Sequence, residues 1–301
     1  MQNKPESEIT AAPFLKWAGG KRCLARRITP LIDPESRLIE PFVGSGAIFF
    51  LRTPSKAVLA DINSDLIATF RAVRSNPRKV IQSLSHLRID AEVFNRIREG
   101  QPKDDVGRAV RMIYLNRTAF NGLYRVNRKG GFNVPFGCKP GTRVCDAQAI
   151  KLASQALASV DLRCQDFRVT LDTVRPSDTL YIDPPYTVRH DNNGFRRYNE
   201  QIFTWKDQRD LADAVSKLAR KGVRIIASNA HHETIRSMYS KKIFHAFKMA
   251  RSSCMAGDAS GRGECQEFLF VSRNFGRTIP QLMGMFAMTG PQHPSLQNVP
   301  G

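Results

Sequence analysis

Pro184 and Pro185 carry no amide hydrogen, so a sheet ladder cannot run through them. The strand-like run Thr179 to Ile182 must therefore stop at Asp183, leaving a carboxylate at a strand's carboxyl end with the ring of Tyr186 close behind. In an open α/β sheet that edge is where ligands bind. The same residues also fit a plain strand-ending turn with a solvated acid and a packed tyrosine, so the rest of the chain has to decide.

The chain around this point alternates strand and helix. Strands are predicted at 37–40, 57–60, 160–164, 179–182, 223–227, 243–249 and 266–272. Helices are predicted at 22–31, 47–51, 66–74, 77–87, 106–115, 147–158, 206–221 and 232–239. That order implies an α/β fold with a mostly parallel sheet, and the last two strands add an antiparallel edge. Residues 1–12 read as a flexible arm, 13–65 and 147–273 as the two parts of the sheet domain, and 66–146 as a mainly helical insert. Residues 188–200, with Arg189, Arg196 and Arg197, read as a mobile loop beside the site, and 274–301 as a loose tail.

Two further stretches mark the same sheet edge. Pro41-Phe42-Val43-Gly44-Ser45-Gly46 is a glycine turn after a strand and before the helix at 47–51, where a ligand can lie against backbone at a helix amino end. A plain tight turn accounts for it equally well, because a full G-x-G-x-x-G is absent. Asp61 ends the next strand, 17 residues after Gly44, where an acid can accept the ribose hydroxyls of an adenosine. Asn63 and Ser64 offer the other reading, a capped turn opened by Asp61. Asp166 and Phe167, after the third strand, fit either an adenine pocket or a strand-end turn.

The insert shows what the partner is. From Val106 to Cys145 there is neither Asp nor Glu, against Arg108, Arg111, Arg117, Arg125, Arg128, Lys129, Lys139 and Arg143. Tyr114, Phe120, Tyr124, Phe132 and Phe136 are interleaved with Asn116, Asn121, Asn127 and Asn133. Basic groups hold phosphates, aromatic rings stack on bases, and Arg and Asn read base edges. The formal charge of +19 points the same way, with nucleic acid ahead of a generally basic solubility surface or an anionic membrane as its explanation.

Other classes recede. The six cysteines are scattered, with no C-x-x-C pair and no adjacent His cluster, so reduced thiols and no metal are expected. No apolar run approaches the roughly 20 residues of a membrane span. The start has no apolar signal core, so a cytoplasmic protein is expected. A monomer or weak dimer is a separate expectation.

Leu15-Lys16-Trp17-Ala18-Gly19-Gly20-Lys21, Leu59-Ala60-Asp61-Ile62-Asn63-Ser64-Asp65, Leu115-Asn116-Arg117, Phe120-Asn121-Gly122-Leu123, Phe132-Asn133-Val134-Pro135-Phe136-Gly137 and Asp183-Pro184-Pro185-Tyr186 stand in this order. Together they resemble the Dam-like (D12 class, alpha group) family of DNA adenine-N6 methyltransferases over about residues 13–272. The resemblance implies a Rossmann-like methyltransferase sheet, with 66–146 as the DNA-recognition domain. It implies double-stranded DNA as partner, S-adenosylmethionine as methyl donor, adenine N6 as acceptor after base flipping, and GATC or a related or relaxed site. It also implies a bacterial or phage enzyme, orphan or part of a restriction-modification pair. The implied catalytic residues are Asp183, Pro184, Pro185 and Tyr186. Cofactor positions are Trp17, Ala18, Gly19, Lys21, Glu40, Pro41, Phe42, Gly44, Ser45, Gly46, Asp61, Ile62, Asp166, Phe167 and Asp183. DNA-binding positions are Lys16, Asn116, Arg117, Phe120, Asn121, Arg125, Asn127, Arg128, Lys129, Asn133 and Pro135. Phe120 stands where a GATC-specific relative has tyrosine, and Cys138 where it has arginine. Cytosine-N4 or RNA methylation on the same scaffold, or a catalytically silent DNA-binding homologue, stay open as alternatives.

Overall fold

The structure, a computed structural model, describes residues 11–127, 130–187, 203–252 and 264–276. Arg128, Lys129, the stretch 188–200, most of the arm and most of the tail, on which several expectations fall, lie outside the described residues. The strands are β1 (Leu38–Glu40), β2 (Ala57–Asp61), β3 (Val160–Cys164), β4 (Thr179–Ile182), β5 (Arg224–Ala230), β6 (Phe244–Ser252) and β7 (Glu264–Ser272). Among the described residues they form one sheet in the order β3-β2-β1-β4-β5-β7-β6. The first five are parallel neighbours. β7 runs antiparallel to both β5 and β6, which puts the antiparallel pairings on one side of the sheet and β6 at its edge.

The helices are α1 (Arg22–Ile28), α2 (Ala47–Arg52), α3 (Ser64–Ser75), α4 (Pro77–Ser85), α5 (Ala91–Glu99), α6 (Asp105–Thr118), α7 (Ala147–Ala156), α8 (Phe167–Leu171), α9 (Trp205–Arg220) and α10 (Glu233–Met238). Alternate strand residues feed two cores. Leu38, Leu59, Tyr181, Ile226 and Leu269 face one, while Ile39, Val58, Leu180, Ile182, Ile225 and Phe270 face the other. Burial on both faces is why β1, β4 and β5 read as near-continuous apolar runs.

The first core continues from the sheet through Phe70 of α3 into Met112 and Tyr114 of α6, then Phe94 of α5 and Phe132. α6 packs on α3, α4 and α5, and α3 in turn packs on β2 and β3. Tyr114 fits this interior because its hydroxyl donates to the Arg88 carbonyl at 2.8 Å, leaving no buried donor unmade. The second core lies under α8, α9 and α10. Arg168 joins α8 to α9 through Asp207 and Asp210, each at 2.6 Å. Burial alone would raise the Asp207 carboxyl, but hydrogen bonds from Thr204 and Arg168 outweigh it and hold the group at about 2.

Two helices escape the sequence pattern. α5 starts at Asp90, whose side chain accepts from the Val93 amide, and α8 starts at Asp166, which accepts from the Arg168 amide. In each the cap is the signal that marks it. Among the described residues no helix is long and apolar enough to cross a membrane.

Candidate active site

The chain leaves β1 towards β2 and β3, then returns to β4 on the other side of β1. The carboxyl ends of β1 and β4 therefore open into a crevice at the point where strand order reverses. Glu40 closes β1 and Asp61 closes β2, while Asp183 follows β4, so three acids from distant parts of the chain meet one edge.

The glycine turn forms one wall. Gly44 has φ +49°, and a Cβ there would fall 2.8 Å from the Trp17 ring, so a bare backbone is required for the two to meet. The Gly44 amide donates to Asp61 Oδ2 at 3.3 Å and the Asn63 amide to Oδ1 at 2.9 Å. Burial lifts the Asp61 carboxyl to about 6 despite the amides of Asn63, Gly44 and Ile62. Glu40 is 1% exposed, and burial, with the Asp183 charge adding to it against the Phe49 amide, lifts it to about 8. Its Oε1 has no hydrogen-bond partner.

Asp183 sits opposite. Pairing of Ile182 with Ala227 brings Ser228 alongside, and Ser228 Oγ lies 3.3 Å from Asp183 Oδ1 and 3.1 Å from the Tyr181 hydroxyl. Lys21 Nζ is 2.7 Å from Asp183 Oδ1 and donates to the Gly19 carbonyl at 2.9 Å. Gln208 of α9 donates to the Pro185 carbonyl at 3.2 Å and is itself held by Asn229, fixing the two-proline turn from behind. Ser228, Gln208, Asn229 and Glu267 escape the sequence reading, because their closeness comes from strand register and helix packing and from no local pattern.

Several expected positions also have partners within the local fold. Asp166 caps α8 and faces Arg168 at 3.4 Å, while Phe167 is 5% exposed among Phe42 and Phe203. The pair is thus tied into the local fold, because a strand end that turns straight into a helix needs an N-cap. Ile62, by contrast, is 67% exposed beside Asp61.

The DNA-facing set divides. Lys16, Phe120, Asn121, Asn127, Asn133 and Pro135 are exposed, and Arg125 is half-buried with its Nε on Asn133. The Phe120 amide donates to the Pro135 carbonyl, and a Cβ at Gly122 would run into the Lys16 stem, so these groups share one surface. Asn116 corrects the expectation. It is 1% exposed, accepts from the Lys16 amide at 2.8 Å and donates to the Lys16 and Gly122 carbonyls at 2.8 and 3.1 Å. A buried amide satisfied on three sides holds the Lys16 backbone in place. Arg117 likewise spends an N–H on the Phe14 carbonyl.

This geometry has close counterparts by sequence. Residues 17–253 match the family described as D12 class N6 adenine-specific DNA methyltransferase. The chain is 33% identical to the type II methyltransferase M1.LlaDCHI of Lactococcus lactis subsp. cremoris, over 90% of this chain and 98% of that one. It is 34% identical to the type II methyltransferase M.MjaIII of Methanocaldococcus jannaschii, over 73% and 84%. It is 33% identical to the DNA adenine methylase of Escherichia coli K12, over 79% and 88%.

Proposed function

The chain belongs to the D12 class of N6 adenine-specific DNA methyltransferases, and on that premise we propose that it methylates adenine N6 in double-stranded DNA with S-adenosylmethionine as donor. The observation that carries this is the Asp183-Pro184-Pro185-Tyr186 turn at the switch point, facing a glycine wall and two acids of raised pKa. When bound, the cofactor supplies an electrophilic methyl carbon on a positively charged sulfur. The residues fit such a group. Glu40 Oε1, buried and unpartnered, suits a cation, and Asp61 at the end of β2 suits ribose hydroxyls.

The protein's own part is positioning. Adenine's amino nitrogen is a poor nucleophile because its lone pair is delocalised into the ring. Asp183 and the Pro184 carbonyl accept hydrogen bonds from it and so draw the nitrogen towards tetrahedral geometry, in line for direct displacement. Asp183 is also the nearest acceptor for the proton shed on alkylation. Tyr186 stacks on the base, which has to leave the helix at a cost of a few kcal/mol. Stacking contributes on the order of 1–3 kcal/mol, so one ring with phosphate contacts can offset the flip. Residues 66–146 supply the recognition module, with Phe120, 48% exposed, as the wedge.

We place the target at GATC, on the resemblance of the recognition motifs. Long-read mapping of 6-methyladenine on a plasmid from a methylation-free host expressing this protein tests the reading. Methylation confined to GATC supports it, another motif relocates specificity to Phe120 and Cys138, and unmethylated adenine overturns it.

Glu40 gives a pH test. With its carboxyl at about 8, Glu40 holds its proton at pH 7, and a neighbouring cation favours its ionised form. Cofactor binding should then release on the order of one proton at pH 7, and affinity should rise about tenfold per pH unit below pH 8. In the ligand-free protein the linkage has the opposite sign. The folded state holds the extra proton between about 4.5 and 8, so this group's contribution to stability falls as pH rises through that window. Calorimetry in buffers of different ionisation enthalpy checks the release, and Glu40→Gln should remove it.

A further inference from the structure

Lys21, which the resemblance puts among the cofactor positions, faces Glu267, a buried acid that methyl transfer as described leaves without a role. Lys21 is 3% exposed and Glu267 is fully buried. The pairing of Ala230 with Glu267 across β5 and β7 carries this acid to the carboxyl edge, next to the strand that holds Ser228. Lys21 Nζ lies 2.7 Å from Asp183 Oδ1, 3.7 Å from Glu267 Oε2 and 4.8 Å from the centre of the Tyr186 ring.

A base that donates its amino group to Asp183 Oδ1 while stacking on Tyr186 competes with the ammonium for that place. A hydrogen bond to Asp183 puts the amino nitrogen about 3 Å from the carboxylate, where the ammonium now sits. We infer that Lys21 Nζ fills the target-amino position while the pocket holds no base, and that Glu267 is the positioning residue that takes over the ammonium when the base enters. This rests on the reading of Asp183 and Tyr186 as the base-holding pair.

Glu267 suits that task because an ammonium driven off Asp183 cannot be left unpaired in the interior. Closing the 3.7 Å separation to a charge-assisted hydrogen bond needs only a small swing of the flexible lysine stem. The exchange is then nearly balanced: Asp183 trades a charged donor for the base amino group, and Lys21 trades one carboxylate for another. Lys21 keeps the place between the Asp183 carboxylate and the Tyr186 ring occupied until a specific base displaces it.

Base entry can be read without turnover from the emission of 2-aminopurine placed next to an unmodified target adenine, which keeps its 6-amino group, in a duplex at saturating protein. Glu267→Gln strands the ammonium on Asp183 and should shift the stacked-to-extruded equilibrium roughly tenfold towards the stacked base. Lys21→Met combined with Glu267→Gln removes the occupant together with its second carboxylate, and should restore emission to at least the wild-type level. A merely structural role for Glu267 would leave the double variant as dim as the single one, and that result, or a single variant as bright as wild type, overturns the inference. Glu267→Asp, which keeps the charge on a shorter stem, gives a smaller loss in the same direction and serves if Glu267→Gln does not fold. A wild-type protein that raises no emission while binding DNA overturns base extrusion itself, and the inference with it.

Discussion

Asp183→Asn should lower the single-turnover methylation rate roughly 10²–10³-fold, the range for removing one preorganised group that stabilises developing charge. The substitution keeps size and shape but replaces one accepting oxygen with an NH₂ donor. The amide also lacks the charge that favours a nitrogen becoming positive. DNA affinity should hold, and so should its salt dependence, because the slope counts phosphates neutralised by cations and Asp183, an acid beside Ser228 at the end of β4, neutralises none. Quench-flow methylation with a salt titration of DNA binding separates the two. Retained turnover would remove Asp183 from the reaction. A changed slope would mean that the variant disturbs the recognition surface.

Asn116→Ala should destabilise the protein by about 2–4 kcal/mol, since three hydrogen bonds worth about 1 kcal/mol each disappear and buried backbone groups lose their partners. The Lys16 amide and carbonyl and the Gly122 carbonyl are the groups left open. Thermal or denaturant unfolding in the absence of DNA reads the loss. Phe120→Ala, in contrast, should leave stability within about 0.5 kcal/mol, because the ring is 48% exposed, yet should weaken base extrusion. An Asn116→Ala protein of wild-type stability and weakened DNA binding would return Asn116 to the DNA-reading set.

Much of the fold is legible along the chain because burial on both sheet faces writes itself as apolar runs. Thr179 to Ile182 and Val160 to Cys164 form strands where the pattern places them, and α6 extends its predicted core by a turn. The order of strands and helices likewise carries the sheet's mostly parallel character, since parallel neighbours require crossovers. α5 and α8 stay hidden from the apolar pattern, and only their caps at Asp90 and Asp166 mark them in the sequence.

The site is legible in part. Asp183 and Gly44 announce themselves locally, one by the prolines that end its strand and the other by a turn that admits no side chain. Asn116 misleads because composition does not distinguish an asparagine that reads bases from one that clamps a backbone. Both kinds occur in a segment rich in Arg, Asn and aromatic rings, and burial decides between them.

The sequence by itself determines the alternation of elements, the strand end at Asp183, the positive glycine turn and the family, since each is a property of neighbouring residues or of motifs in order. Only the tertiary structure decides that Lys21, Asp183, Ser228 and Glu267 converge. Their separation along the chain is bridged by strand register, β4 on β5 and β5 on β7, and a shift of one residue in either pairing would turn Ser228 or Glu267 to the opposite face of the sheet.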